Sequence, residues 1–473
     1  MAIQSVVLKR TIYVGTFIHS VSLAELQVLT RSAVAVDDES GKILLVEHPV
    51  QASMLEMWAE EAGTTIVEAG PGQFFFPGLI DTHIHASQYP NSGIFGKSTL
   101  LDWLNTYTFP LEASLAKPSK AHRVYSRCVA RTLSHGTTTA AYYATRDVTS
   151  TNILATTCHT AGQRAFVGRC CMDGMAPDYY RDTDAATSLA DTIKCAEFCA
   201  KLDPKGELVQ SIITPRFAPS CSRELMRGLG EFMAQSGLLC QTHISENKGE
   251  IELVANLFPE CKDYATVYDR AGLLSEKTVL AHAVYLTDDE IALVKMRGSK
   301  ISHCPVSNAA LTSGAAKVRR LLDEGIVVGL GTDVSGGYSP SVLEAARQAT
   351  MTSRFVSLTE GEEAKLSVEE ALYLATRGGA EVLGLQKTVG AFEVGMEWDA
   401  LLVGCTFVPD EEECDEDEDL LQAKQTVGGG MTPVDLFGWE NWEEIVAKWL
   451  YSGDDRNVLK VWVKGRKVHE KPT

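Results

Sequence analysis

The chain has 473 residues, 45% hydrophobic and 22% charged, a composition that supports a sizeable core and excludes a largely disordered protein. Lys and Arg number 43 against 62 Asp and Glu, and the net charge of −19 argues against nonspecific binding to nucleic acid or anionic membrane. No apolar run reaches membrane-spanning length, and the first basic pair, Lys9-Arg10, follows the N-terminal apolar stretch instead of preceding it, the wrong order for a signal peptide; the 12 cysteines, several inside apolar runs, read as reduced thiols, so a cytoplasmic location is expected.

Short strand-like runs open the chain at 11–17, 33–36, 43–46 and 65–67. From residue 74, apolar or β-branched runs recur at 74–80, 136–145, 164–172, 208–217, 238–246, 277–286, 300–308 and 325–333. Stretches long enough for helices separate them, for example 288–296 and 316–324. Alternation of this kind predicts a parallel sheet covered on both faces. Eight units over roughly 300 residues predict an α/β fold of the (β/α)8 TIM-barrel type. Strand-rich sequence returns at 393–404 and 458–468, so both chain ends are expected to meet in a small β-sandwich domain. The expected division is 1–74 for its first part, 75–389 for the barrel and 390–473 for its second part. An acidic loop, 409–420, interrupts the last segment: nine of the ten residues from 410 to 419 are Asp or Glu, which reads as a solvated insertion.

A barrel places its chemistry at the C-terminal ends of its strands. Asp81, His83, His85, Arg216, His243, Glu246, His282 and Asp333 all fall there. His83 and His85, two apart on an extended strand, face the same side. Together with His243, His282 and Asp333 they supply imidazoles and a carboxylate to one barrel mouth, the donor set of a Zn²⁺ or Fe²⁺ site. The fourth strand carries Arg216 and no lysine, which favours one metal over a bridged pair, since arginine keeps its proton and cannot ligate. A metal with an open position generates a nucleophile from water. Asp333 is placed to ligate and to accept a proton, Glu246 to shuttle a proton, and His282 either to hold the nucleophile or to orient a ligand. Trp103, Tyr107 and Phe109 read as lid or core. Cys195 and Cys199 read as core thiols, His303 and Cys304 as support for the site. Gly329 and Gly331 begin like a dinucleotide loop, but Val334 stands at the third position.

Pro77-Gly-Leu-Ile-Asp-Thr-His-Ile-His-Ala-Ser-Gln-Tyr89, Thr242-His-Ile-Ser-Glu-Asn247, Ser302-His-Cys-Pro-Val-Ser-Asn308 and Gly331-Thr-Asp-Val-Ser-Gly-Gly337 resemble the amidohydrolase superfamily. The segments HASQY (85–89), LLDWLNTYTFP (100–110), GQRAFVG (162–168), TPRFAPSCS (214–222) and YSGDDRNV (451–458) resemble its guanine deaminase branch, over residues 12–468 or so. That resemblance implies hydrolysis of guanine to xanthine and ammonia by attack at C2, in a homodimer with one zinc per subunit, ferrous iron being equally compatible with the donors. It implies His83, His85, His243 and Asp333 as metal ligands, and Glu246, His282 and Asp333 as catalytic residues. It further implies substrate contacts from Gln88, Arg216 and Phe217 alongside His85, His243, Glu246 and Asp333. Guanine shows a carbonyl acceptor at O6, an N1–H donor and a flat face; Arg216 can donate to O6, Gln88 can pair with the edge, and Phe217 can stack. Deamination of another ring, or a non-catalytic binding role, are the readings that compete with it. The acidic loop is the main departure from the family pattern.

Overall fold

The computed structural model describes residues 9–408 and 432–472; the acidic run 410–419 lies outside them. Eight parallel strands, Leu79–His85, Thr137–Tyr143, Arg164–Gly168, Val209–Pro215, Leu239–Ile244, Thr278–His282, Lys300–His303 and Val328–Leu330, pair in chain order. Most of their residues are buried, as continuous apolar runs require when helices cover a sheet. The strand order joins each strand to the next in sequence, with intervening helices such as Pro118–Ser134, Ala185–Leu202 and Val342–Glu360 outside. This is the expected TIM barrel.

The barrel closes where the last strand meets the first. The Asp333 N–H donates to the His83 carbonyl at 2.8 Å, and the His85 N–H donates to the Val334 carbonyl at 3.1 Å. Asp81, fully buried, accepts from the Thr332 N–H at 3.0 Å and the Thr332 hydroxyl at 2.6 Å, tying the same two segments together. Gly331 makes the approach possible. A Cβ there would stand 2.7 Å from the His83 Cβ, 2.7 Å from Ser302 Oγ and 2.8 Å from Cys304 Sγ. The Gly-x-Gly pair therefore serves barrel closure.

The first strand begins later than the sequence suggests. The run 74–80 divides at Gly78: Gln73–Pro77 belongs to a second sheet, and the barrel strand starts at Leu79. A side chain at Gly78 would collide with Thr138, so the chain passes from one sheet to the other where it has none. The run 458–468 likewise divides at Lys464-Gly465, a turn with φ of 49° and 76° between Val458–Val463 and Arg466–Glu470.

The second sheet is built from both chain ends. Its strands follow the order Arg466–Glu470, Val458–Val463, Ala400–Gly404, Gln73–Pro77, Arg10–Ser22, Glu25–Asp37 and Ile43–Glu47, with Thr64–Glu68 beside Arg10–Ser22. Alternation divides three consecutive phenylalanines between two cores. Phe75 packs with Tyr13, Phe17, Trp398 and Trp462 inside the sheet's own core. Phe74 and Phe76 face the other way, joining Leu401, Val403 and Trp449 in the large cluster that includes barrel residues. No helix among the described residues is long and apolar enough to cross a membrane.

Candidate metal centre and active site

Each strand end delivers one or two polar side chains to a common point. His83 and His85, two apart on the first strand, emerge together; Asp81 has the same parity but lies across a register shift between Asp81 and Ile84, and accepts from Thr332. His243 ends the fifth strand, His282 the sixth, and Asp333 follows the eighth. Several of these ends leave β geometry. Ser245, His282, Ala283 and Asp333 have positive φ of 49°, 74°, 50° and 47°, costing about 1–3 kcal/mol apiece.

Ligand-capable atoms of His83, His243, His282 and Asp333 lie within 4.8 Å of one another, all buried. His85 adjoins this quartet: its Nε2 is 3.2 Å from His243 Nε2 and 3.3 Å from Asp333 Oδ1. His83 Nε2 is 3.2 Å from the same Asp333 oxygen. Five side chains thus surround one spot, four of them the ligands implied by resemblance, with His282 the fifth.

The chemistry of these donors fits a divalent cation. The His243 Nδ1–H donates to the Arg216 carbonyl at 2.5 Å, which leaves Nε2 a bare lone pair aimed at His85. Among the described residues, His83 Nε2 and His282 Nε2 are buried with no hydrogen-bond partner, and a cation would satisfy such lone pairs. Burial pushes the pKa of His83, His85 and His243 below the ordinary value, so each is a neutral donor. Burial works against ionisation of Asp333, but the polar contact of the His83 ring, with His282 nearby, outweighs it and holds the carboxyl at about 2. Neutral imidazoles and an ionised carboxylate are the states that bind zinc or iron.

Glu246 lies on the turn after the fifth strand, 2% exposed. Ser313 donates its hydroxyl to Glu246 Oε1 at 2.8 Å, and Oε2 is 3.5 Å from His282 Nε2. Burial pushes this carboxyl up to about 7, between proton donor and acceptor near neutrality. Its backbone is fixed by Glu250, which accepts from the Glu246 and Asn247 N–H groups at 2.9 and 3.2 Å and from the Tyr264 hydroxyl at 2.7 Å. The His282 Nδ1–H donates to Asn308 Oδ1 at 2.8 Å, which points Nε2 toward Glu246 and Asp333.

A narrow cavity above the cluster is lined by Gln88, Arg216, Phe217, Glu246, Asp333 and an apolar wall that includes Trp103. Gln88 follows the first strand on the 3-10 turn Ala86–Asn91, and Arg216 and Phe217 follow the fourth. Phe217 belongs to an apolar cluster with Trp103, Phe109 and Tyr180. Trp103 therefore forms cavity wall, while Phe109 lies beneath Arg216, its ring centroid 5.2 Å from the guanidinium carbon. The structure brings together all nine site residues singled out in the sequence, His83 lying beneath the cavity.

Three participants escaped the sequence reading: Glu112, Tyr180 and Ser313 come from connections outside the strands, while Asn308, which closes the quoted motif 302–308, had no role assigned. Glu112 stands two residues beyond the quoted segment 100–110, a lone charge in an apolar stretch, and that mismatch is the signal that marks it.

The chain matches the family model described as "Amidohydrolase family" over residues 74–468. It is 49% identical over 465 residues to a probable guanine deaminase of Schizosaccharomyces pombe, covering 97% of this chain and 83% of that one. It is 42% identical over 468 residues to a guanine deaminase of Homo sapiens, covering 97% and 96%. Among solved structures, a guanine deaminase from C. acetobutylicum with guanine bound in its active site superposes with a TM-score of 0.84 at 33% identity, covering 98% of this chain and all of that one.

Proposed function

The chain belongs to the amidohydrolase family, and from that premise we propose that it hydrolyses guanine to xanthine and ammonia at a mononuclear metal centre. His83, His85, His243 and Asp333 hold the ion, zinc in our reading, with the ferrous ion suited to the same donors. When bound, the ion lowers the pKa of a coordinated water to roughly 7 and so supplies a nucleophile at neutral pH.

The chain's own residues do the remainder. Phe217 offers a face to the flat purine, and Arg216 and Gln88 meet its O6 and N1–H edge. That fixes C2 as the carbon presented to the metal centre. Asp333 accepts the proton of the attacking water, with His282 beside it. Glu246 carries a proton to N3, the ring nitrogen next to C2 that bears no hydrogen, and then to the departing amine. One water enters, one ammonia leaves, and the C2–N bond is replaced by C2–O. Adenine sets an amino donor where guanine has O6, so Arg216 would face an unpaired donor, at about 1–3 kcal/mol. The homodimer belongs to this reading through the same resemblance, and the cytoplasmic location through the cysteines read as reduced thiols.

The observation that carries the reading is the single cavity in which the histidine–aspartate cluster, a buried carboxylate and an Arg–Gln–Phe wall converge. The test is an assay of the zinc-loaded protein on guanine, adenine and cytosine, monitored for xanthine and ammonia. Xanthine from guanine alone is expected. Activity on another base with none on guanine overturns the reading.

A further inference from the structure

The two residues assigned to the purine edge are joined by a third that touches the cavity only through them. Glu112 lies at the end of the lid connection in the short helix Phe109–Ser114 and is 0% exposed. Gln88 Nε2 donates to Glu112 Oε1 at 2.8 Å. Arg216 donates from Nη1 to Oε2 at 2.7 Å and from Nη2 to Oε1 at 3.2 Å. The Tyr180 hydroxyl donates to Oε2 at 2.7 Å. Tyr180 is in turn held by its loop: Asp182 accepts from the Met172 N–H at 3.2 Å and pairs with the buried Arg169.

An ionised carboxylate accepts hydrogen bonds and donates none. Gln88 must therefore turn its amide nitrogen to Glu112. Its carbonyl oxygen is left on the other side, where it accepts only a long 3.3 Å bond from the Ser335 N–H and keeps a lone pair free. Arg216, neutralised by Glu112, spends two of its five N–H donors on the pair and retains others. The edge offered to a ligand is thus one acceptor from Gln88 and N–H donors from Arg216. Guanine's amide edge is the complement, a donor at N1 and an acceptor at O6. Resting on the guanine reading above, we propose that Glu112 is the positioning residue that sets this hydrogen-bond polarity, through the contacts it makes with Gln88 and Arg216, and thereby selects 6-oxopurines carrying N1–H.

The test uses Glu112→Gln. A glutamine can donate as well as accept, so Gln88 is free to turn over and present N–H groups to N1. The readout is equilibrium binding of hypoxanthine and unsubstituted purine to the metal-loaded protein, two bases that differ at this edge and have no 2-amino group to lose. Wild type should prefer hypoxanthine by on the order of 100-fold, and E112Q should cut that preference at least about tenfold. For guanine, E112Q should raise KM more than it lowers kcat. A folded, metal-replete E112Q that keeps the wild-type preference overturns the proposal, as does a wild type with no preference. Should E112Q fail to fold for want of a partner to Arg216, E112Q with Arg216→Met removes both charges together. That double variant should lose the preference, and its retention overturns the proposal. A wild type that prefers hypoxanthine yet leaves guanine intact sinks the deaminase reading and spares this one.

Discussion

Replacing Gly331 by alanine tests whether barrel closure places the metal ligands. The new Cβ would meet His83 Cβ at 2.7 Å, Ser302 Oγ at 2.7 Å and Cys304 Sγ at 2.8 Å, whereas ordinary contact begins near 3.4 Å. The sulfur and the hydroxyl can rotate aside, at the expense of the 2.6 Å bond between Ser302 and Thr82. The His83 Cβ cannot, because it is fixed to a central strand. That strand must give by several tenths of an ångström, and its imidazole moves with it. Overpacking of this kind costs about 1–3 kcal/mol. A misplacement approaching 1 Å costs about 100-fold in rate, so a shift of half that size predicts a loss of roughly tenfold. Gly329→Ala is the control. Its Cβ would press on Thr82 Cγ2 at 2.9 Å and the Gly379 Cα at 3.0 Å, and none of its nearest atoms belongs to a proposed ligand. Both variants should lower Tm, and only G331A should also lose metal faster to a chelator and lower kcat. Equal turnover and metal retention in the two variants would refute the link between closure and ligand placement.

Glu246→Gln should keep metal and guanine binding but lower kcat by about 10²–10⁴-fold, since the amide still accepts from Ser313 and cannot carry a proton; near-normal turnover removes Glu246 from the proton path. His303 is 1% exposed, neither ring nitrogen has a hydrogen-bond partner among the described residues, and burial pushes its pKa from 6.5 down to about 3. The unfolded chain takes up this proton near pH 6.5 and the folded one only near 3. The stability it contributes is therefore complete above pH 6.5 and drains away as the pH falls, at up to about 1.4 kcal/mol per pH unit. His303→Leu should flatten denaturation free energies between pH 6.5 and 4.5, and curves parallel to wild type would show that His303 already finds a partner. Chelation should abolish ammonia release and added zinc or ferrous ion restore it; full turnover by metal-free protein would exclude the ion.

The legible parts of the site were those carried by strand ends. His83, His85, His243, His282 and Asp333 stand where apolar runs stop, and the rule that barrels act at those ends placed them together without coordinates. Arg216 was legible at a strand end as well, and its purine contact, like that of Gln88, through motif resemblance. What they bind was not: Glu112 and Tyr180 reach them from connections whose path no periodicity encodes, and the same holds for Ser313 on Glu246. Phe74 to Phe76 misled the strand boundary because an apolar run shows that a segment is buried and not which of two sheets buries it. The left-handed backbone at His282 and Asp333 was equally invisible, since neither residue type announces it.

The strand Gln73–Pro77 has its long antiparallel partner in Ala400–Gly404, which in turn pairs with Val458–Val463. During translation, then, the base of the barrel waits for the end of the message. A nascent chain released as far as the eighth barrel strand carries Phe74 and Phe76 bare, and the missing cover arrives only with Leu401, Val403 and Trp449. Such an intermediate displays an unpaired strand edge and aromatic side chains to the ribosome exit and to whatever waits there. A premature stop between residues 333 and 400 leaves the same scar, so such truncated products are expected to clump or be degraded even though every metal-binding side chain has already been made.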